Sequence, residues 1–293
     1  MSNWRAFSKL TLSLRVSGLR TDGFHDIDAL TVSISEPHDE LTIALRDGKR
    51  DGGNEVELEL SGRAAEGVTN DADNLAVRAA RALLATTGEE RSASRVHLAL
   101  HKEIPAGAGL GGGSADAAAV LVALDRLLQL GASSETLAAI GADLGSDVPF
   151  CVRGGAAHMR GRGERIEATA VPRLHVLVAL PPFAIATPAV YRAWDELGGP
   201  VSTRGVPGPA GIGDLTNDLE PAAERVEPGL ADFRARLERT VGAPAILAGS
   251  GSACAVLYED ESAAIGAHER LLAAAFASTC WVGVTREVGV EQI

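Results

Sequence analysis

A chain of 293 residues, 46% of them apolar, is long enough for one large or two medium domains and can fill a substantial core. Its formal charge of −12 excludes a broad basic face, so nucleic acid and anionic membrane surfaces are not expected partners, and an anionic ligand must meet locally concentrated positive groups. The cysteines, Cys151, Cys254 and Cys280, are odd in number and set among apolar residues, the pattern of small buried hydrophobes in a reducing compartment rather than of disulfides or a zinc site.

The opening MSNWRAFSKL has no signal-peptide core, and the run 174–190 is broken by His175, Pro181, Pro182 and Pro188. A buried strand followed by a loop is expected there, not a membrane span, and the protein is expected to be soluble and cytoplasmic. In chain order, Leu10, Leu12, Leu14 and Val16 alternate with polar residues, which predicts a half-buried strand ended by the turn 20–23. Further strands are expected at 27–34, 40–45, 56–60 and 96–100, with a helix over 74–85. Helices over 115–130 and 134–144 follow, then an apolar strand at 148–152. The second half predicts strands at 174–180, 245–247, 253–257 and 281–284, and helices over 219–225, 230–240 and 260–277. The segment 198–213, rich in Gly, Pro and Ser, reads as a flexible insertion that can lie over a site. This order of elements suggests two α+β lobes with a boundary near 155–170.

Between strand and helix lies Pro105 Ala106 Gly107 Ala108 Gly109 Leu110 Gly111 Gly112 Gly113 Ser114. Glycines there allow positive φ and a close backbone approach, and the helix N-terminus beyond them offers unpaired N–H groups and a positive dipole end, the requirements of a phosphate site. The bland reading is a flexible connection, but so many glycines carry an entropic cost that a bound ligand would offset. Gly107, Gly109 and Gly112 satisfy GxGxxG, yet a dinucleotide site needs a second strand ending in an acid about 20 residues on, where this chain predicts another helix. The other phosphate motif would place lysine where Gly113 stands, so the cation must come from elsewhere. Ser114 can cap the helix, touch a phosphate or hold Mg²⁺, and Asp116 reads as a favourable first-turn charge.

A set of segments carries a family resemblance. They are Ser8 Lys9 Leu10 Thr11 Leu12 through Gly18, Arg20 and Asp22 Gly23 Phe24 His25, with the spacing to Asp39; Asp73 Asn74 Leu75; the glycine loop; Leu144 Gly145 Ser146 Asp147 Val148 Pro149; Asn217 Asp218 Leu219 Glu220 Pro221; and Gly249 Ser250 Gly251 Ser252 Ala253. On these the chain resembles the GHMP kinases over nearly its whole length. The resemblance implies an α+β, two-lobed fold with the active site between the lobes, an N-terminal ATP-binding lobe over 1–160 and a C-terminal lobe over 161–293. Its activity would be transfer of a phosphoryl group from ATP, with Mg²⁺, to the hydroxyl of a small molecule. The Gly23 Phe24 His25 segment together with 144–150 is similar to the branch whose acceptor is a cytidyl diphosphate sugar alcohol. Alternatives are a homoserine-type kinase of the same family and a non-catalytic nucleotide-binding relative.

Phosphoryl transfer to an alcohol needs positioning, charge neutralisation and removal of the hydroxyl proton. By the resemblance, Asp147 accepts that proton and Lys9 holds Asp147 and stabilises the transferring group; taken alone, each reads as a solvated charge. Pro105, Gly107, Gly109, Gly111, Gly112, Gly113 and Ser114 would cradle the phosphates, and Ser114 is also the candidate metal ligand. Asn74 and Lys102 look like residues of the adenine pocket. Phe24 and Tyr191 resemble the aromatic pair that sandwiches cytosine, His25 the residue that reads it, and Thr11 and Asp147 further substrate contacts. Arg160 and Arg162 can meet a diphosphate, although surface charge is the simpler reading. The family usually has Asn where this chain has Thr11, and Ser or Thr where it has Ala248. The sequence leaves oligomeric state open.

Overall fold

Alternating Leu10, Leu12, Leu14 and Val16 bury one face of a strand, β1, that runs the whole of Ser2–Leu19. The computed structural model describes residues 1–47, 55–87, 94–202, 204–210, 212–276 and 279–293. The strands expected at 27–34 and 40–45 are one 23-residue strand, β2 (His25–Asp47). Its register on β1 jumps between Ser8↔Ile34 and Phe7↔His38, so residues 35–37 bulge out. Pro37 sits in the bulge, where its missing N–H costs no ladder bond, and its carbonyl accepts from Ser8 Oγ at 2.7 Å.

β3 (Glu55–Ser61) runs parallel to β4 (Ser94–His101), with α1 (Leu75–Leu84) between them in the chain. After the glycine loop comes α2 (Gly112–Leu128), buried nearly all round; its alanines let it lie against α1, β1 and β2. Ser133 caps α3 (Ser134–Ala142), its Oγ accepting the Thr136 amide at 3.2 Å. The apolar strand expected at 148–152 is instead a helix, α4 (Val148–Arg153). Pro149 in its first turn favours helix, and a short, fully buried apolar run carries no period to separate helix from strand. β5 (Ala156–Gly161) and β6 (Arg165–Thr169) form a hairpin whose first strand lies beside the first half of β2.

β7 (His175–Leu180) is the buried strand expected in the second half. Where a loop was expected to follow, α5 (Thr187–Glu196) begins, with Pro188 in its first turn rather than ending order there. β8 (Val206–Pro207) and β9 (Asp214–Leu215) form a small hairpin across the Gly/Pro segment, of which Thr203 and Gly211 lie outside the described residues. Then come α6 (Glu220–Val226), α7 (Gly229–Val241), β10 (Ile246–Leu247), β11 (Cys254–Tyr258), α8 (Glu261–Ala273), β12 (Thr279–Arg286) and β13 (Val290–Gln292). The end expected for α8, at Ala277, lies outside the described residues.

All the described strands but the β8–β9 hairpin join in an 11-stranded sheet ordered β10-β11-β7-β12-β2-β1-β13, with β4–β3 and β5–β6 branching from β2. The last strands return to the first: β12 pairs with Ser33 and Ile34, and β13 with Trp4 to Ala6. The architecture is α+β, and the junction where β1 and α2 meet the turn 248–252 forms a cleft. No helix among the described residues is long and apolar enough to cross a membrane. Cys151 and Cys254 are buried free thiols, and Cys280 is partly buried.

Candidate active site

The glycine loop is pinned on both sides. The Lys9 amide donates to the Leu110 carbonyl at 3.0 Å, while the amides of Ser252 and Ala253 donate to the carbonyls of Gly107 and Ala108 at 3.2 and 3.1 Å. Gly109 lies at φ +78°, and a Cβ there would stand 2.0 Å from the Ala248 carbonyl oxygen. Gly111, at φ +74°, is the N-cap of α2; a Cβ there would meet Lys9 Cγ at 2.8 Å. A side chain at 111 would therefore push on Lys9. The Ala115 amide closes the first helical bond, to Gly111 O at 2.9 Å, which leaves the amides of Gly112, Gly113 and Ser114 without intrahelical partners. These three residues, with Pro105, Gly107, Gly109 and Gly111, line a cavity of about 780 Å³. Ser114 does not cap the helix; it stands in the first turn.

Lys9 and Asp147 meet in this cavity. Lys9 Nζ lies 3.5 Å from Asp147 Oδ2 and donates to Thr11 Oγ1 at 3.4 Å. Asp147 is the N-cap of α4 but makes no side-chain capping bond, so its carboxylate faces the cavity and Lys9. The Thr11 hydroxyl, 3.5 Å from Thr31 Oγ1, steadies the ammonium in place of the amide that the family usually has there. A Cβ on Gly249 would stand 3.5 Å from Lys9 Nζ, so the glycine turn walls in the ammonium. Ser250 Oγ, 2.7 Å from Thr187 Oγ1, ties that turn to α5. Ala248 meets the loop through its carbonyl, a contact that survives replacement of a Ser or Thr side chain.

The other end of the cavity is aromatic. Phe24 is 47% exposed, with the Arg162 guanidinium 5.2 Å from its ring centroid. Tyr191, on α5, stacks on His25 at 4.7 Å, and Trp194 meets the imidazole edge-on at 5.5 Å. His25 Nε2 is 2.8 Å from Asp195 Oδ1. Burial, with Asp147 adding to it, pushes the Tyr191 hydroxyl up to about 12, so this ring stays neutral. Arg162 lines the cavity, whereas Arg160 pairs with Asp28 and Glu167 outside it. Asp195 is missing from the sequence reading because α5 is. Once the helix is seen, its spacing of four from Tyr191 puts both on one face.

Two residues expected to contact the nucleotide do not line the cavity. The Asn74 side chain caps α1, accepting from the Ala76 amide at 2.9 Å and donating to the Thr69 carbonyl at 2.7 Å; its neighbour Leu75 reaches the cavity instead. Lys102 does not line the cavity, nor is it a solvated strand end. It is 3% exposed and paired with Asp39 and Asp116, so Asp116 is a buried ion-pair partner rather than an exposed first-turn charge. The segment 198–213 does not cover the site: among its described residues none lines the cavity, and Arg204 pairs with Glu220 and Glu238.

Residues 74–155 match the family described as GHMP kinases N terminal domain. A Granulibacter bethesdensis protein named 4-diphosphocytidyl-2-C-methyl-D-erythritol kinase is 38% identical to this chain, over 94% of it and 92% of that protein. One of the same name from Streptomyces coelicolor is 39% identical, over 89% and 88%. The crystal structure of a 4-(cytidine 5'-diphospho)-2C-methyl-D-erythritol kinase superposes with a TM-score of 0.74 at 32% identity, covering 97% of this chain and 98% of the other. Mevalonate kinase from L. major shares the fold, with a TM-score of 0.69 at 16% identity over 98% and 96% of the two chains. With relatives this similar along almost its whole length, the chain belongs to the 4-diphosphocytidyl-2-C-methyl-D-erythritol kinase family of the GHMP kinases.

Proposed function

We propose that this kinase transfers the γ-phosphoryl group of ATP to the 2-hydroxyl of 4-diphosphocytidyl-2-C-methyl-D-erythritol, a step towards isoprenoid precursors. The observation that carries the reading is one cavity with three kinds of wall: open helix amides, the Lys9–Asp147 pair and the aromatic end at Phe24, His25 and Tyr191. Open amides suit phosphates. Asp147 takes the hydroxyl proton as positioned base, and Lys9 steadies that carboxylate and the charge that builds on the transferring group. Phe24 and Tyr191 offer π-faces to a cytosine, His25 a ring nitrogen to its edge, and Arg162 a cation near the diphosphate. Lobes of 1–160 and 161–293 would then divide the work, ATP on the first and part of the acceptor on the second. The cytoplasm, where free thiols persist, is the proposed location.

Mg²⁺ fits this site as a cation carried by the nucleotide. Among the described residues no group of three or more His, Cys, Asp or Glu side chains is placed to hold a metal ion, whereas Mg²⁺ needs only one or two protein oxygens beside phosphates. The Ser114 hydroxyl and the Asp147 carboxylate would supply them; when bound, the ion would neutralise phosphate charge.

A coupled assay of ADP release across candidate alcohols tests the assignment. Turnover with the cytidyl compound and none with homoserine is the expected result; the reverse order would move the chain to another branch of the family. A small alcohol such as homoserine leaves the aromatic end nothing to hold. A non-catalytic relative would have no use for a base and cation placed 3.5 Å apart, and ATP binding without ADP release would reveal one.

A further inference from the structure

Lys102 stands two residues before Ile104, from which the glycine loop departs, and its Nζ donates to Asp39 Oδ2 and to Asp116 Oδ2. Asp39, on β2, is fully buried, and its Oδ1 accepts the amides of Glu103 at 2.6 Å and Ile104 at 2.9 Å. Asp116 lies on α2, just beyond the open amides. It is 3% exposed, and its Oδ1 finds no hydrogen-bond partner among the described residues. Three elements thus meet in a closed charged cluster at the base of the loop. Burying charges is costly, and removing one partner of such a set leaves another stranded. The cluster joins the departure of the loop to its return, the two points that decide where a glycine-rich segment can wander. Lys102 does not line the cavity, so it acts on a ligand only through the loop.

We propose that Lys102 is a positioning residue for the nucleotide phosphates: by tying Asp39 beneath the start of the loop to Asp116 in the following helix, it holds the amides of Gly112, Gly113 and Ser114 towards the cavity. Two carboxylates share one ammonium here. They reach it from β2 and α2, and Asp39 is held in turn by the amides of Glu103 and Ile104.

The proposal rests on the reading that ATP occupies this loop. The test uses the full chain as wild type, Lys102→Met and the double variant Lys102→Met/Asp116→Asn. Calorimetric titration with ATP and with adenosine, and KM for ATP, are measured for each. Losing a charge-assisted tie should weaken ATP binding about 10- to 100-fold. KM for ATP should rise accordingly, with kcat falling far less and adenosine affinity held. The double variant also replaces the buried carboxyl at 116 that has lost its ammonium partner with a neutral amide. It should regain thermal stability without regaining ATP affinity, so it carries the test if the single variant does not fold. Unchanged ATP affinity in a folded variant, or an equal loss of adenosine, overturns the proposal. A wild type that binds no ATP would overturn the ATP reading itself, and this proposal with it.

Discussion

The chemistry is concentrated in a few side chains whose neighbours set their roles. Replacing Asp147 with Asn keeps the shape beside Lys9 but removes the proposed base. Turnover should fall roughly 10²- to 10⁴-fold, while ATP still binds; unchanged turnover would take Asp147 out of the mechanism. At the aromatic end, Phe24→Ala or Tyr191→Ala should each weaken the cytidyl substrate by roughly 1 to 3 kcal/mol, a loss of about 5- to 150-fold. ATP affinity should hold. Thermal melts supply the control, because Phe24 is 47% exposed and its loss should not cost the roughly 3 to 5 kcal/mol of a buried aromatic. Tyr191→Ala also unstacks His25, so it should hurt the cytidyl substrate more than Phe24→Ala does. Equal weakening of ATP and the cytidyl compound would mean general damage and would remove the base-stacking role.

Among elements, the loop and the turn facing it form one unit. Gly109 and Gly113 both belong to the loop, yet the structure predicts opposite outcomes for alanine. At Gly109 a Cβ would lie 2.0 Å from a carbonyl at φ +78°, whereas at Gly113 it meets only the Leu75 side chain at 3.4 Å. Gly109→Ala should therefore destabilise, with about 1 to 2 kcal/mol from the left-handed backbone alone and more from the clash. Gly113→Ala should be neutral or gain up to about 1 kcal/mol of helix propensity. Urea unfolding of the two variants decides this, and equal stabilities would contradict the loop geometry. Strand period and loop composition made β1 and the glycine loop legible in the sequence. α4 and α5 were not. Their runs are short and apolar or broken by proline, and only burial on all sides, or a proline in a first turn, turns such a run into a helix.

At the scale of the whole molecule, the charged cluster under the loop couples stability to pH. Burial raises Asp116 from its ordinary 3.8 to about 8. Between those limits the folded protein binds more protons there than the unfolded chain does, so this group's contribution to stability falls as pH rises. Asp116→Asn removes that slope. The stability of the wild type minus that of the variant, measured in urea at a series of pH values, should decline on going from acid to about pH 8, and a flat difference would show that Asp116 titrates normally. By itself the sequence determined most of the strands of the first hundred residues and the glycine loop, because period and glycine content are local properties; the pairing of Asp147 with Lys9 came only from the family resemblance, since each alone reads as a solvated charge. The tertiary structure alone decided what lies together. Asn217 donates to the carbonyls of Leu247 and Gly249 at 3.0 and 2.7 Å. Asp218 binds Arg15, the Val16 amide and the Ser202 amide, so one pentapeptide, 217–221, anchors both β1 and the turn over Lys9. Lys102 shows the same divide: its place beside the loop was legible, but its burial between two acids, 63 and 14 positions away, was not. Charge acts through distance and dielectric in the folded state, and neither is written in the order of residues.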